Sequence, residues 1–351
     1  MFDSKFNAIS RRLRSSFLGA ARFWLWGGAF YLALPCGLIS LRTVPRIHFS
    51  SFQFHHAGSL FWGRMDNDTK DQTVAAGRIS PLEIAARHYY FKPMAIFFNA
   101  LHLRAFQIAN MQWHKSVLDI GCSDGEYGVL LEELLGTPKR IIGIDVDEKA
   151  IASASDDACR LYENMVVGSA AELPFESESF EMVVINASLV SIDPGLHASM
   201  REVHRVLQEG GRFYATVCTG QYEQNYWISR FLRGIGLHGL ARVYMRAMNR
   251  RMQQAHLFSS ADWIKLFEEN GFTIVQQFGF LPLRLVPLWS FLAWTPLRII
   301  GVSRLIPCPW LHRKLAALWK RVFRGVYEQT ELRYAPRDSG YMLIEAIKAK
   351  P

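Results

Sequence analysis

The chain has 351 residues, 50% apolar and 13% aromatic, with a formal net charge of +9. That length buries a full core with room for a second small unit, and five scattered cysteines (36, 122, 159, 218, 308) with no CxxC pair give no sign of a disulfide framework or metal site, which makes a reducing compartment the default. The positive charge suits an anionic partner, whether a lipid headgroup surface, RNA or an acidic substrate, and equally a merely basic surface.

Residues 1–22 carry Arg11, Arg12, Arg14 and Arg22, and the stretch 23–41 then runs without a charge. Its length of about 19 residues reaches that of a membrane span, but Gly27, Gly28, Pro35 and Gly37 weaken the helix signal. The basic residues before it favour a cytoplasmic N-terminus, so a single span would export the rest of the chain. A helix lying in or on the membrane is the favoured expectation; a helix packed on the core and a true span stay open. Residues 47–80 are polar and mixed, with a loop over 66–71. Ser80-Pro81-Leu82-Glu83 then opens a helix, with serine as N-cap and proline at the first helical position.

The stretch from Val117 to Gly125 is the one around which the chain is organised. An apolar run, 116–120, reads as a buried parallel strand. It breaks at Gly121 and Gly125 and passes into an amphipathic helix over 126–135. Strand, glycine turn and helix bring backbone close to a nucleotide-like ligand. The next strand, 141–145, ends on Asp145, about 20 residues beyond the glycines, where an acid grips a ribose diol. The glycine spacing is not GxGxxG, and Asp119 and Asp124 put negative charge where a pyrophosphate would sit. Those carboxylates suit a ligand bearing an ammonium group.

Further strands are expected at 164–167, 181–186, 211–217, 272–277 and 341–347, and helices at 148–159 and 197–207. The alternation predicts an α/β fold with a parallel sheet and helices on both faces.

Four stretches, LDIGCSDG (118–125), IGIDVDEKAI (142–151), GSAAELPFESESFEMVV (168–184) and REVHRVLQEGGRF (201–213), together resemble the class I S-adenosylmethionine-dependent methyltransferases of the small-molecule type. The resemblance runs from residue 116 to about 217. It implies a Rossmann-like, doubly wound, seven-stranded sheet whose last strand, 341–347, is antiparallel, and S-adenosylmethionine as cofactor. It assigns Gly121, Cys122 and Gly125 to the turn around the methionine moiety and Asp119 to the region of its ammonium. Asp145 matches the ribose-binding acid and Val146 the apolar residue beside the adenine. Ser169, with Ala170 beside it, stands where relatives carry an acid for the adenine amino group. Asn186 ends the fourth strand near the methionine. Helices before the first strand fold over the cofactor in the family, so His88, Tyr89 and Tyr90 either line the site or, for the tyrosines, fill the core.

Methyl transfer from a sulfonium needs alignment and exclusion of water more than a base. No residue declares itself catalytic: relatives often carry a histidine pair after the fourth strand, where this chain has 188–193 without histidine. His197 reads as a surface helix residue and Asp193 as an N-cap.

The chain thus divides into a basic and apolar N-terminal segment (1–80), a cofactor-binding core (81–218), an acceptor-side helical insertion (219–258), a core helix with the sixth strand (259–277), an apolar and basic cap insertion (278–339) and a final strand (340–351). In the cap, 310–324 reads as a helix with Leu311, Leu315, Leu318, Trp319 and Val322 on one face and basic residues largely off it, the pattern of an interfacial helix and also of ordinary packing. The cap leaves from the end of the sheet where ligands bind. These features predict a methyltransferase for an apolar or lipid-linked small molecule, working at the cytoplasmic face of a membrane. The alternatives are an RNA or anionic-glycan methyltransferase using Arg230, Arg233, Arg242, Arg246, Arg250 and Arg251, and a non-catalytic binding protein.

Overall fold

The computed structural model describes residues 22–26, 29–34, 37–40, 79–294, 308–328, 330 and 333–349. The chain forms two units, Met1–Phe52 and Gln53–Pro351. In the first, β1 (Arg22–Trp26), β2 (Ala29–Leu34) and β3 (Gly37–Ser40) make an antiparallel three-stranded meander. The helix expected over 23–41 is therefore not formed. The residues that weakened its signal, Gly27-Gly28 and Pro35, fall between the strands, and the aromatic and branched residues between them favour extended chain. The loop expected over 66–71 lies outside the described residues.

The second unit is built on seven strands: β4 (Val117–Ile120), β5 (Ile141–Asp145), β6 (Asn164–Val167), β7 (Phe180–Asn186), β8 (Leu207–Cys218), β9 (Phe272–Pro282) and β10 (Ser339–Lys348). Their order is β6-β5-β4-β7-β8-β10-β9. The pairs from β6 to β8 are parallel, and β10 runs antiparallel to both neighbours. The doubly wound sheet with an inserted antiparallel last strand is thus present. Every residue of β4 is buried, as a strand covered by helices on both faces requires.

Two helices precede the sheet, α1 (Pro81–His88) and α2 (Pro93–Ile108). Ser80 stands at the expected N-cap, but its side chain makes no capping bond. α2 lies along the sheet, with Phe98 5.4 Å from Tyr341 at one end and Phe106 6.4 Å from Tyr214 further along. α3 (Glu126–Leu135) has the bounds expected of it.

The helix expected over 148–159 is two: α4 (Glu148–Ile151) and α5 (Asp156–Leu161). Ser155 restarts the helix by accepting from the Ala158 N–H at 3.2 Å, the usual function of an N-cap. α6 (Leu196–Val206) is capped by Gly195, not by Asp193. The positive φ of +125° at Gly195 keeps it out of the helix and puts the cap two residues later than the expected Asp193.

The insertion 219–258 is helical: α7 (Gln221–Asn225), α8 (Trp227–Gly234) and α9 (His238–Arg251). Beyond it comes α10 (Ser260–Glu269), closed at its start by a capping box between Ser259 and Asp262. The run 278–282, expected to open the cap, belongs to β9 instead. Register shifts along the β9–β10 pair keep the strands in contact to Pro282, which buries Phe278, Phe280 and Leu281. The cap itself supplies α11 (Val286–Trp294) and α12 (Pro309–Glu328). Among the described residues no helix is long and apolar enough to cross a membrane.

Candidate cofactor and acceptor site

The parallel strands end at one edge of the sheet, where the turn after β4 meets the ends of β5 and β7. Gly121 and Gly125 both take positive φ, +77° and +76°, which lets two N–H groups turn back on the strand ends without a Cβ penalty. Gly121 N–H donates to the Ile144 carbonyl at 2.8 Å. A Cβ on Gly121 would lie 2.3 Å from Ser188 Oγ, so the loop after β7 closes directly on this turn. Gly125 and Gly128 serve another end. A Cβ on either would run into the Tyr162 ring, and that ring reaches across to donate its hydroxyl to Asp119 Oδ2 at 2.5 Å.

Asp145 sits at the tip of β5. Its Oδ2 accepts from Ser123 N–H and its Oδ1 from Asp147 N–H, each at 2.9 Å. A carboxylate oxygen accepts more than one hydrogen bond, so both remain able to take ribose hydroxyls. Val146 beside it is 71% exposed, and Val167, paired with Asp145 across β5–β6, is 51% exposed. Two bare aliphatic side chains next to a carboxylate able to accept diol hydroxyls suit the face of an adenine.

Asp119, Asp124 and Glu126 are all buried at the turn. Burial pushes the Asp119 carboxyl up to about 6, against the pull of the Tyr162 hydroxyl and with a further push from Asp145. No positive group is among those influences. Tyr89 packs against the same acids, its hydroxyl driven well above its ordinary value by burial and by Glu126. Tyr127 Oη is buried with no partner among the described residues, a state that costs on the order of 1–3 kcal/mol. A buried set of carboxylates with an orphaned hydroxyl fits a cationic amino-acid moiety.

Of the other expected residues, Cys122 turns its thiol inward, where a Cβ on Gly143 would meet Sγ at 2.7 Å, so only its backbone faces the turn. Ser169 is exposed and its hydroxyl accepts from Ala171 N–H at 3.1 Å; Ala170 beside it is buried. Asn186 ends β7 with Oδ1 accepting from Thr216 Oγ1 at 2.7 Å. His88 lies away from the turn, 2.7 Å from Glu133 on α3. Tyr89 and Tyr90 are core residues at 7% and 9% exposure. His197 is exposed on α6, as a surface helix position should be.

Sequence reasoning missed Tyr162, Ser188 and Thr216, which position Asp119, Gly121 and Asn186. It placed an acceptor-side insertion at 219–258 and a cap at 278–339, but not their meeting in an aromatic cluster on the β8–β10 side. Tyr222 and Trp289 lie 5.3 Å apart, Tyr222 and Tyr226 5.6 Å, and Phe98 and Trp289 5.8 Å. Tyr341, across from Cys218 at the ligand end of β8, joins them through Phe98. Trp289 comes from the cap, Tyr222 and Tyr226 from the helical insertion and Phe98 from α2, so three separate segments converge there. A groove lined by Trp113, His114, Lys115 and Glu181 lies at the opposite, N-terminal ends of the strands, away from this chemistry.

Residues 117–211 match the family described as a methyltransferase domain. The region around 117–211 is a class I, Rossmann-fold S-adenosylmethionine-dependent methyltransferase domain. The chain is 31% identical over 106 residues to the demethylmenaquinone methyltransferase of Oceanobacillus iheyensis, 29% of this chain and 44% of that protein. To the demethylmenaquinone methyltransferase of Geobacillus kaustophilus it is 27% identical over 179 residues, 48% of this chain and 74% of that one. The chain spans less than half the length of the first of these relatives. Among solved structures it is similar to the geranyl diphosphate C-methyltransferase of Streptomyces coelicolor, with a TM-score of 0.43 and 15% identity over 73% of this chain and 79% of that one. The cofactor of the class is S-adenosylmethionine, a methyl sulfonium donor. The acidic turn, Asp145 and the exposed Val146 would hold its amino-acid, ribose and adenine parts respectively.

Proposed function

We propose that this chain transfers a methyl group from S-adenosylmethionine to an apolar, lipid-related small molecule at the cytoplasmic face of a membrane. The observation that carries the reading is the aromatic cluster in which α2, α7 and α11 meet, at the ligand end of β8 and β10. Aromatic walls offer a large apolar contact area and exclude water from the reacting atoms. The curated relatives are named for demethylmenaquinone, an apolar acceptor of that kind.

Two surfaces support the membrane side of the proposal. α12 packs through Trp319, Phe323 and Tyr327, leaving Trp310, Leu318 and Val322 exposed at 61%, 49% and 52%. Arg313, Lys314, Arg321 and Arg324 are exposed on the same helix. The seam expected from sequence thus splits, because Trp319 turns in toward α2, its ring stacked on Phe323, while Leu318 and Val322 turn out. On α8 and α9, Phe231, Ile235, Leu240 and Val243 are each about half exposed among Arg230, Arg242, Arg246 and Arg250. Apolar side chains, three aliphatic and one phenyl, interspersed with arginines suit a lipid surface.

The test is transfer of isotope-labelled methyl from S-adenosylmethionine to a total membrane lipid extract and, in parallel, to total RNA. Label in the lipid phase is expected. Label confined to RNA, or in neither, rejects the proposal.

A further inference from the structure

The aromatic cluster holds two polar atoms with no hydrogen-bond partner among the described residues. His102, on α2, is 1% exposed, and its ring lies 3.9 Å from Phe98 and 5.2 Å from Tyr341 between centroids. Its Nδ1 stands 2.9 Å from the Phe98 carbonyl oxygen. A carbonyl only accepts, so Nδ1 carries the proton and Nε2 presents a bare lone pair. That Nε2 is buried without a hydrogen-bond partner among the described residues. Burial holds the ring neutral, with its pKa lowered to about 3. Trp289, on α11, is 5% exposed and packs on the same Phe98 ring, 5.8 Å away. Its Nε1–H is likewise buried and unpartnered among the described residues.

One bare acceptor and one bare donor therefore flank a single phenyl ring within an otherwise aromatic cluster. Native interiors pair such groups almost without exception, and an orphan calls for a ligand or water. The cluster lies beside β10, two strands from β7, which at ordinary strand spacing is about 10 Å. A ring system could thus have its reacting edge near Asn186 and its far edge here.

We propose that His102 Nε2 and Trp289 Nε1 form the polar end of the acceptor site, His102 accepting from a hydroxyl of a flat apolar acceptor and Trp289 donating to an oxygen of it. The inference rests on the proposed methyltransferase reading and narrows its substrate to hydroxylated ring compounds. A site built around a hydrogen bond to a hydroxyl rejects the analogue that lacks the proton far more strongly than a purely apolar pocket does.

The experiment is equilibrium dialysis of the full chain with 2-naphthol and with 2-methoxynaphthalene, alongside calorimetry with S-adenosylmethionine. The unmodified protein should hold 2-naphthol at least about tenfold more tightly than the methyl ether. His102→Phe should bring that ratio to about one, His102→Gln, which keeps an acceptor, should retain part of it, and cofactor affinity should not change in either. Equal affinity for the two probes in the unmodified protein, or a ratio that survives His102→Phe, overturns the proposal. Should His102→Phe fail to fold, Trp289→Phe carries the test. It removes only the donor, and unchanged affinity for both probes overturns the proposal. If the unmodified protein does not bind S-adenosylmethionine, the methyltransferase reading fails on that arm alone, whatever the naphthol ratio.

Discussion

The Asp145 carboxylate accepts a hydrogen bond at 2.9 Å from the backbone N–H of Ser123, which sits 22 residues earlier in the turn after β4. Ser123 takes a positive φ of +53°, between the two left-handed glycines. One acid therefore pins the turn while keeping lone pairs free to accept ribose hydroxyls, so in the proposed site turn geometry and cofactor grip would be linked through a single side chain.

Replacing Asp145 by Ala should remove both roles. Losing hydrogen bonds to a charged group costs on the order of 1.5–3 kcal/mol, or about 10–150-fold in affinity. Calorimetry with S-adenosylmethionine should show a loss in that range, and Asp145→Asn, which keeps an acceptor, a smaller one. Faster amide exchange across 123–125 should accompany the Ala variant.

Gly121→Ala tests the closure of the turn on the β7 loop. The variant carries a left-handed backbone penalty of about 1–2 kcal/mol. It also puts a Cβ 2.3 Å from Ser188 Oγ. Urea denaturation should show a loss of more than about 2 kcal/mol for the single variant. The pair Gly121→Ala and Ser188→Gly should recover the steric part and keep the backbone part.

Two buried groups give opposite pH dependences. Asp119 has a folded pKa of about 6, above its ordinary 3.8. The folded state thus binds more protons than the unfolded state between those values, and stability falls as pH rises through that window, by up to about 1.4 kcal/mol per unit. His102 falls from 6.5 to about 3. There the unfolded state binds more protons, and stability falls as pH drops below 6.5. The melting temperature between pH 4 and 6 should accordingly rise more steeply with pH for Asp119→Asn, which leaves His102 unopposed, and should fall with pH for His102→Gln, which leaves Asp119 unopposed. Binding of the cationic cofactor should also release a proton near pH 5–6, because it favours the ionised form of Asp119; heats measured in two buffers of different ionisation enthalpy check this.

The exposed face of α12 should matter to lipid binding and not to folding. Changing Trp310, Leu318 and Val322 together to Ser removes about 3 kcal/mol of insertable apolar surface, on the order of 100-fold in partitioning. Co-sedimentation with vesicles containing phosphatidylglycerol should drop accordingly, while the melting temperature stays put. Equal co-sedimentation of the variant and the unmodified chain would count against the membrane proposal.

The sheet was legible in the sequence because its parallel strands are short apolar runs separated by turn residues, a local pattern. β4, β5 and β6 fall on residues readable from that pattern alone, as does α3. The misreadings are of two kinds. Over 23–41, length and lack of charge outweighed the glycines and proline that divide the stretch into three strands. At 278–282, an apolar run that looked like the start of a cap is strand, because β10, over 50 residues later, arrives to pair with it.

The chain's local order determined the strand, turn and helix succession, the acid at the tip of β5 and the carboxylates of the turn, since each depends on neighbours a few residues away. Only the tertiary structure decided that Tyr162 should fill the space left by Gly125 and Gly128, that Ser188 should close on Gly121, and that His102 and Trp289 should share the Phe98 ring. Those partners lie far apart in sequence, and no periodicity encodes which buried side chain meets which; close packing of the folded interior selects them.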